Sequence, residues 1–120
     1  MIKNVFLVGL GGAIGSVLRY IISQILKNQN FPYSTLIINI TGSMIIGLVF
    51  GLSMKYANWD AAWKTLLTAG FCGGFTTFSA FSYENILMLQ QGKIGLSLIY
   101  IFSSVIAGIT ATYIGLKLLA

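Results

Sequence analysis

Histidine is absent from this 120-residue chain, cysteine and proline occur once each, and the acidic residues number two. With Cys72 alone, no intrachain disulfide can form, and with no histidine to join it a Cys/His metal site is excluded as well. Cys72 reads as a small buried apolar residue. The two acids, Asp60 and Glu84, offer no carboxylate pair, and neither a nucleophile–base pair nor a phosphate-binding glycine loop is present. Gly9, Gly11 and Gly12 resemble a dinucleotide fingerprint, but no strand precedes them. The chain therefore reads as a protein that is not an enzyme. Charge is scarce too: 8% of residues are charged and 57% hydrophobic. A soluble domain carries about a quarter charged residues, so the composition is that of a membrane protein. The basic residues behind the net charge of +5 are scattered singly. A nucleic-acid partner needs them clustered.

What is there is a set of long apolar runs. Four transmembrane helices are expected in a single domain over 1–120, at about 4–26, 34–54, 62–90 and 94–118. In the first, Gly11 and Gly15 make a small-residue face for close helix contact. A signal peptide is the rival reading of this run, but no A-x-A cleavage site follows. KNQNFPY, Lys27–Tyr33, is a polar loop, and its Pro32 stops the next helix from extending backward. Ser34–Met54 runs for 21 residues without a charge, enough to cross a bilayer of ~20 residues' depth. Asn39, Ser43, Gly47 and Gly51 step by four along it. Trp59 and Trp63 are interfacial anchors, and QQGK, Gln90–Lys93, is a tight turn. In the fourth run Tyr100, Ser104, Gly108 and Thr112 again step by four. Lys3, Lys55, Lys64 and Lys117 fall on one side, against Lys27, Lys93 and Arg19 on the other. Four against three is almost no orientation bias. Either one orientation wins narrowly, or the chain inserts both ways and two copies pair antiparallel.

The third run is too long for one straight span, and it holds GFCGGFTTFSAF, Gly70–Phe81. Gly73 and Gly74 weaken a helix, while Thr76, Thr77 and Ser79 offer hydroxyls to backbone groups that a break leaves unpaired. A break near Gly73–Thr76 is expected. Phe78 and Phe81 share a face if helix resumes; they either pack in the core or turn positive ring edges toward an anion. Asn39 is either a helix–helix hydrogen bond or a donor aimed into an ion path. Ser43, Ser104 and Thr112 carry the same alternatives. Arg19 and Glu84 approach the same membrane face: they form an ion pair, or Arg19 makes a positive vestibule that attracts anions.

GGAIGSVLRY (Gly11–Tyr20), NITGS (Asn39–Ser43) and GFCGGFTTFSAF together resemble the Fluc (CrcB) family of small fluoride channels, over the full length. The resemblance implies an all-α antiparallel dual-topology homodimer in the bacterial plasma (inner) membrane, with two fluoride pores that passively export cytoplasmic fluoride and relieve its toxicity. It also implies a structural sodium ion at the dimer centre, held by backbone carbonyls of Gly73 and Thr76. Phe78 and Phe81 then match the paired pore phenylalanines, Asn39 the pore asparagine, Ser79 its nearby hydroxyl and Arg19 the first-span arginine. The chain departs from the family at Ala80, where threonine is common, and at Gly108, where a hydroxyl is expected. Gly108 thereby weakens the fourth-span track of Tyr100, Ser104 and Thr112. The partners implied are fluoride, a second copy and lipid. A small dual-topology drug/proton antiporter is the alternative, but the first span lacks the carboxylate that such exchange needs.

Overall fold

The computed structural model describes residues 1–120, and every regular element is helical. α1 is Ile2–Ile25, α2 is Tyr33–Lys55 and α6 is Ile94–Leu119; each is long and apolar enough to cross a membrane. Between α2 and α6 the chain is segmented. α3, Ala61–Thr65, runs into a π-helical stretch, Leu66–Cys72, called π1 here, then into the single turn α4, Gly73–Phe75, and after a gap α5, Phe78–Gln90. Asp60 starts the third segment, its carboxylate accepting the Ala62 N–H at 2.9 Å. The QQGK turn is closed by Gly92, whose φ of +75° suits glycine alone at little cost.

Two helix pairs make the bundle, and both depend on missing side chains. α2 lies against α6: a Cβ at Gly51 would meet the Leu116 carbonyl at 2.5 Å, and one at Gly115 the Met44 carbonyl at 2.5 Å. α1 lies against π1 and α4 in the same way. A Cβ at Gly11 would stand 2.5 Å from the Leu66 carbonyl, and one at Gly74 2.5 Å from the Gly12 carbonyl. Without a hydrophobic drive between helices in lipid, such backbone approach supplies the association through packing. α5 rests on α6 through side chains: Ser97 Oγ donates to Asn85 Oδ1 at 2.7 Å, and Asn85 Nδ2 donates to the Phe81 carbonyl at 2.9 Å. The outer faces carry exposed Phe6, Ile14, Phe102, Ile109 and Tyr113. So much uncovered apolar surface is what lipid or a second chain covers.

The break expected near Gly73–Thr76 is displaced toward the C-terminus. Gly73 and Gly74 remain helical, and the chain becomes extended only at Thr76 (ψ 156°) and Thr77 (φ −149°, ψ 115°). Gly74 serves packing on α1 while Gly73 is exposed, and side chains from elsewhere open the helix. π1 was not foreseen; within it, a Cβ added at Gly70 would stand 3.2 Å from the Gly11 Cα and 3.2 Å from the Leu7 carbonyl, so α1 packs close here too.

Candidate functional site

The break is held by Asn39. Its Oδ1 accepts the Thr77 N–H at 2.9 Å and its Nδ2 donates to the Thr77 carbonyl at 3.1 Å. In an unbroken helix that N–H would bond the Gly73 carbonyl. Thr77 in turn caps α5: its Oγ1 accepts the Ala80 N–H at 3.2 Å, which takes from the Thr76 carbonyl its helical donor. Ser79 Oγ lies 3.3 Å from Thr77 Oγ1. On the other side, the Gly74 carbonyl accepts from Arg19 Nε at 3.2 Å and from Ser16 Oγ at 3.4 Å. Gly73 and Thr76 are thus left with carbonyls lacking their helical donors, and Gly73 is exposed. Neutral backbone oxygens on an exposed edge fit a hard monovalent cation, and the cavity that Gly73 and Thr76 line holds no acid to add charge for a divalent one.

A second group lies along α5. Phe78 is 77% exposed, so it packs in no core of a single copy. Its ring is 5.7 Å from that of Phe81, which lies 4.9 Å from the ring of Tyr100. Tyr100 is wholly buried and donates its hydroxyl to Glu84 Oε1 at 2.9 Å, while Thr35 Oγ1 donates to Glu84 Oε2 at 2.8 Å. Glu84 therefore has both oxygens committed to hydroxyls. Of the two readings of Arg19, the ion pair with Glu84 is not formed: the arginine goes to the Gly74 carbonyl, where α1 packs closely on α4.

Ser43, Ser104 and Thr112 do come together, around a cavity of 570 Å³ that Gly108 also lines. Thr112 Oγ1 donates within reach of two carbonyls, Ser43 at 3.1 Å and Gly108 at 3.2 Å. Ser104 Oγ is shut from the surface and has no partner. Ser43 also lines a cavity of 370 Å³ at the break, with Asn39, Gly73, Thr76 and Phe78. Tyr100 stands apart from both cavities, so the fourth-span track of Tyr100, Ser104 and Thr112 is divided between two places. The regular spacing had joined them, but Tyr100 is drawn to Glu84 and Phe81. Thr35 was missed, although it sits one four-residue step before Asn39 on the same face of α2. Ser16, Asn85 and Ser97 were missed also; a lone hydroxyl or amide in a helix carries no sign of its partner.

A protein-family model described as "CrcB-like protein, Camphor Resistance (CrcB)" matches residues 6–116. Among curated proteins, the "Fluoride-specific ion channel FluC" of Leptospira interrogans serogroup Icterohaemorrhagiae serovar copenhageni (strain Fiocruz L1-130) is 45% identical over 116 residues, covering 94% of this chain and 91% of that one. The protein of the same name from Azobacteroides pseudotrichonymphae genomovar. CFP2 is 44% identical over 119 residues, covering 96% and 94%. That of Flavobacterium psychrophilum is 44% identical over 117 residues, covering 95% and 94%.

Proposed function

The chain belongs to the CrcB family, and from that premise we propose that it is a fluoride channel: a multi-pass protein of the bacterial membrane that lets the anion pass down its electrochemical gradient. Near-full-length likeness to proteins named as fluoride-specific ion channels carries the identity of the ion. Hydrogen fluoride enters a cell neutral, ionises in the less acid interior and is trapped; a passive pore for the anion relieves that. Fluoride is small and strongly hydrated, so entry needs replacement hydrogen bonds, and a narrow aromatic path disfavours larger halides. In this scheme the third segment, α3 to α5, completes a fourth span over about 62–90, and the four spans make one domain.

The working unit is an antiparallel dimer. The exposed ring of Phe78, the exposed Gly73 edge and the near-even charge count all support a second, inverted copy covering this face. Anions pass Asn39, whose amide keeps one N–H beyond the bond to Thr77, and then the edges of Phe78 and Phe81, with Ser79, Ser43, Ser104 and Thr112 offering hydroxyls. Tyr100 backs Phe81, and Arg19 adds positive charge beside the break. A sodium ion held by Gly73 and Thr76 carbonyls of both copies would lie between the two anion paths. The exchange of drugs for protons finds less support: it needs an acid free to titrate in the first span, and the one intramembrane acid, Glu84, is in α5 with both oxygens engaged.

Two measurements bear on these points. A tag at the C-terminus, probed from each side of the membrane, is expected to be reached from both in comparable amounts; one orientation above about nine-tenths contradicts dual insertion. Phe81→Ile keeps bulk but removes the ring edge that meets Tyr100, and fluoride flux is expected to fall about tenfold while the dimer persists, since ring-edge contacts contribute on the order of 1 kcal/mol each. Unchanged flux in both Phe81→Ile and Phe78→Ile returns these rings to packing.

A further inference from the structure

One cavity takes no part in the path so far described. It measures 270 Å³ and is lined by Ser23, Lys27, Asn28, Phe31, Ser34 and Glu84, among others. Phe31 connects it to the interior. Its ring stands edge-on to Tyr100, 5.4 Å between centroids, and 4.7 Å from Tyr33. Four successive ring contacts therefore lead from Phe78 at the break through Phe81 and Tyr100 to Phe31 and Tyr33 at the end of the bundle. Phe31 belongs to the α1–α2 loop and is fixed there. Asn28 Oδ1 accepts the N–H groups of Asn30 at 2.8 Å and Phe31 at 3.2 Å, and the Phe31 carbonyl accepts from Tyr33 N at 2.9 Å.

We propose, resting on the fluoride-channel reading, that the anion path of each copy opens to water at this cavity and that Phe31 is its outermost pore residue. An anion moving away from the break along α5 meets the Phe81 and Tyr100 rings and then the hydroxyls of Thr35 and Tyr100, which must turn from Glu84, their present acceptor, to donate to it. Beyond Phe31 it enters a space bordered by two serines and the Asn28 amide. Ser34 makes no hydrogen bond of its own, and Asn28 has committed only its oxygen, so donors remain for an ion regaining its water. Lys27 at the exposed rim supplies the single positive charge that draws small anions to the opening and offsets the carboxylate at its floor. The rings do for the outer half of the path what Phe78 and Phe81 do at the break: they present edges to the anion and leave no room for a larger, hydrated one.

The test reads charge at the mouth independently of folding. Ser34→Cys is purified, then labelled with thiol reagents of matched size that leave either a sulfonate or a trimethylammonium group. The only other cysteine, Cys72, is 3% exposed, so unsubstituted protein controls for stray labelling. After reconstitution, fluoride efflux is expected to be at least about threefold slower with the anionic adduct than with the cationic one, since like charge within a few ångströms of a narrow path opposes anion entry. Lys27→Cys, at the exposed rim, carries the same comparison should Ser34→Cys resist labelling. Equal flux with the two adducts, once mass spectrometry shows full labelling, overturns the proposal whatever the level of that flux. Failure of the unsubstituted protein to release fluoride instead removes the channel reading itself, so the two failures are distinct.

Discussion

Asn39→Leu is expected to abolish most fluoride flux and to destabilise the folded protein by about 3 kcal/mol, since it leaves both backbone groups of Thr77 without partners. The substitution replaces the amide with a branched apolar chain and makes α2 more apolar, so it is not expected to impair membrane insertion. Its effect comes from the break alone. Without Asn39 the Thr77 N–H must either stay unpaired at membrane depth or turn back to the Gly73 carbonyl and close the helix. Closing the helix would remove the free Gly73 oxygen, turn Phe78 and Phe81 by roughly the angle of the inserted residues, and end the cap that Thr77 gives Ala80. Thermal unfolding in detergent and liposome efflux measure the two effects separately. A variant as stable and as conductive as the parent would show that the amide is incidental to the break.

Withdrawal of sodium is the second large effect expected. The Gly73 and Thr76 carbonyls have lost their helical donors to the side chains of Asn39 and Thr77, and polar backbone in a membrane persists only where it finds partners. Two copies meeting at the exposed Gly73 edge would offer four neutral oxygens, a cage suited to a monovalent hard cation. A cation present at 100 times its dissociation constant would add about 2.7 kcal/mol to the stability of the form that binds it. Protein stripped of sodium and held in a large organic cation is therefore expected to lose dimer stability and fluoride flux together, and to regain both when sodium is restored. The same flux and the same dimer without sodium would leave the carbonyls to water or to the partner chain.

The sequence made the helical class, the apolar runs and the small-residue faces plain, because these depend on composition and on spacing within one helix. Gly11 and Gly15 announced close contact, and the contact is with Leu66 and Phe71. The broken segment was legible as well, from too long a run interrupted by glycines and hydroxyl residues. Its position was legible only roughly: the chain opens at Thr76 and Thr77, at the C-terminal end of the expected Gly73–Thr76 stretch. Gly73 and Gly74 are the weak helix formers, yet they stay helical, since a helix opens where its backbone groups find better partners and those come from Asn39, 38 residues away in sequence. π1 left no trace in the residue pattern, and by widening the turn it shifts the faces of everything after it, so counting by 3.6 across Leu66–Cys72 misleads. The pairing of Arg19 with Glu84 failed for a related reason. Opposite charge at similar depth suggests a pair, but a carboxylate flanked by Thr35 and Tyr100 hydroxyls is already satisfied.

Conduction by the protein alone is the most direct measurement. Liposomes holding only this chain and loaded with fluoride or chloride are to be followed with ion-selective electrodes after a potassium ionophore clamps the membrane potential. Rapid fluoride release without any proton gradient, with chloride held back, is the predicted result. Equal release of the two halides, or release of fluoride no faster than from empty liposomes, would contradict it.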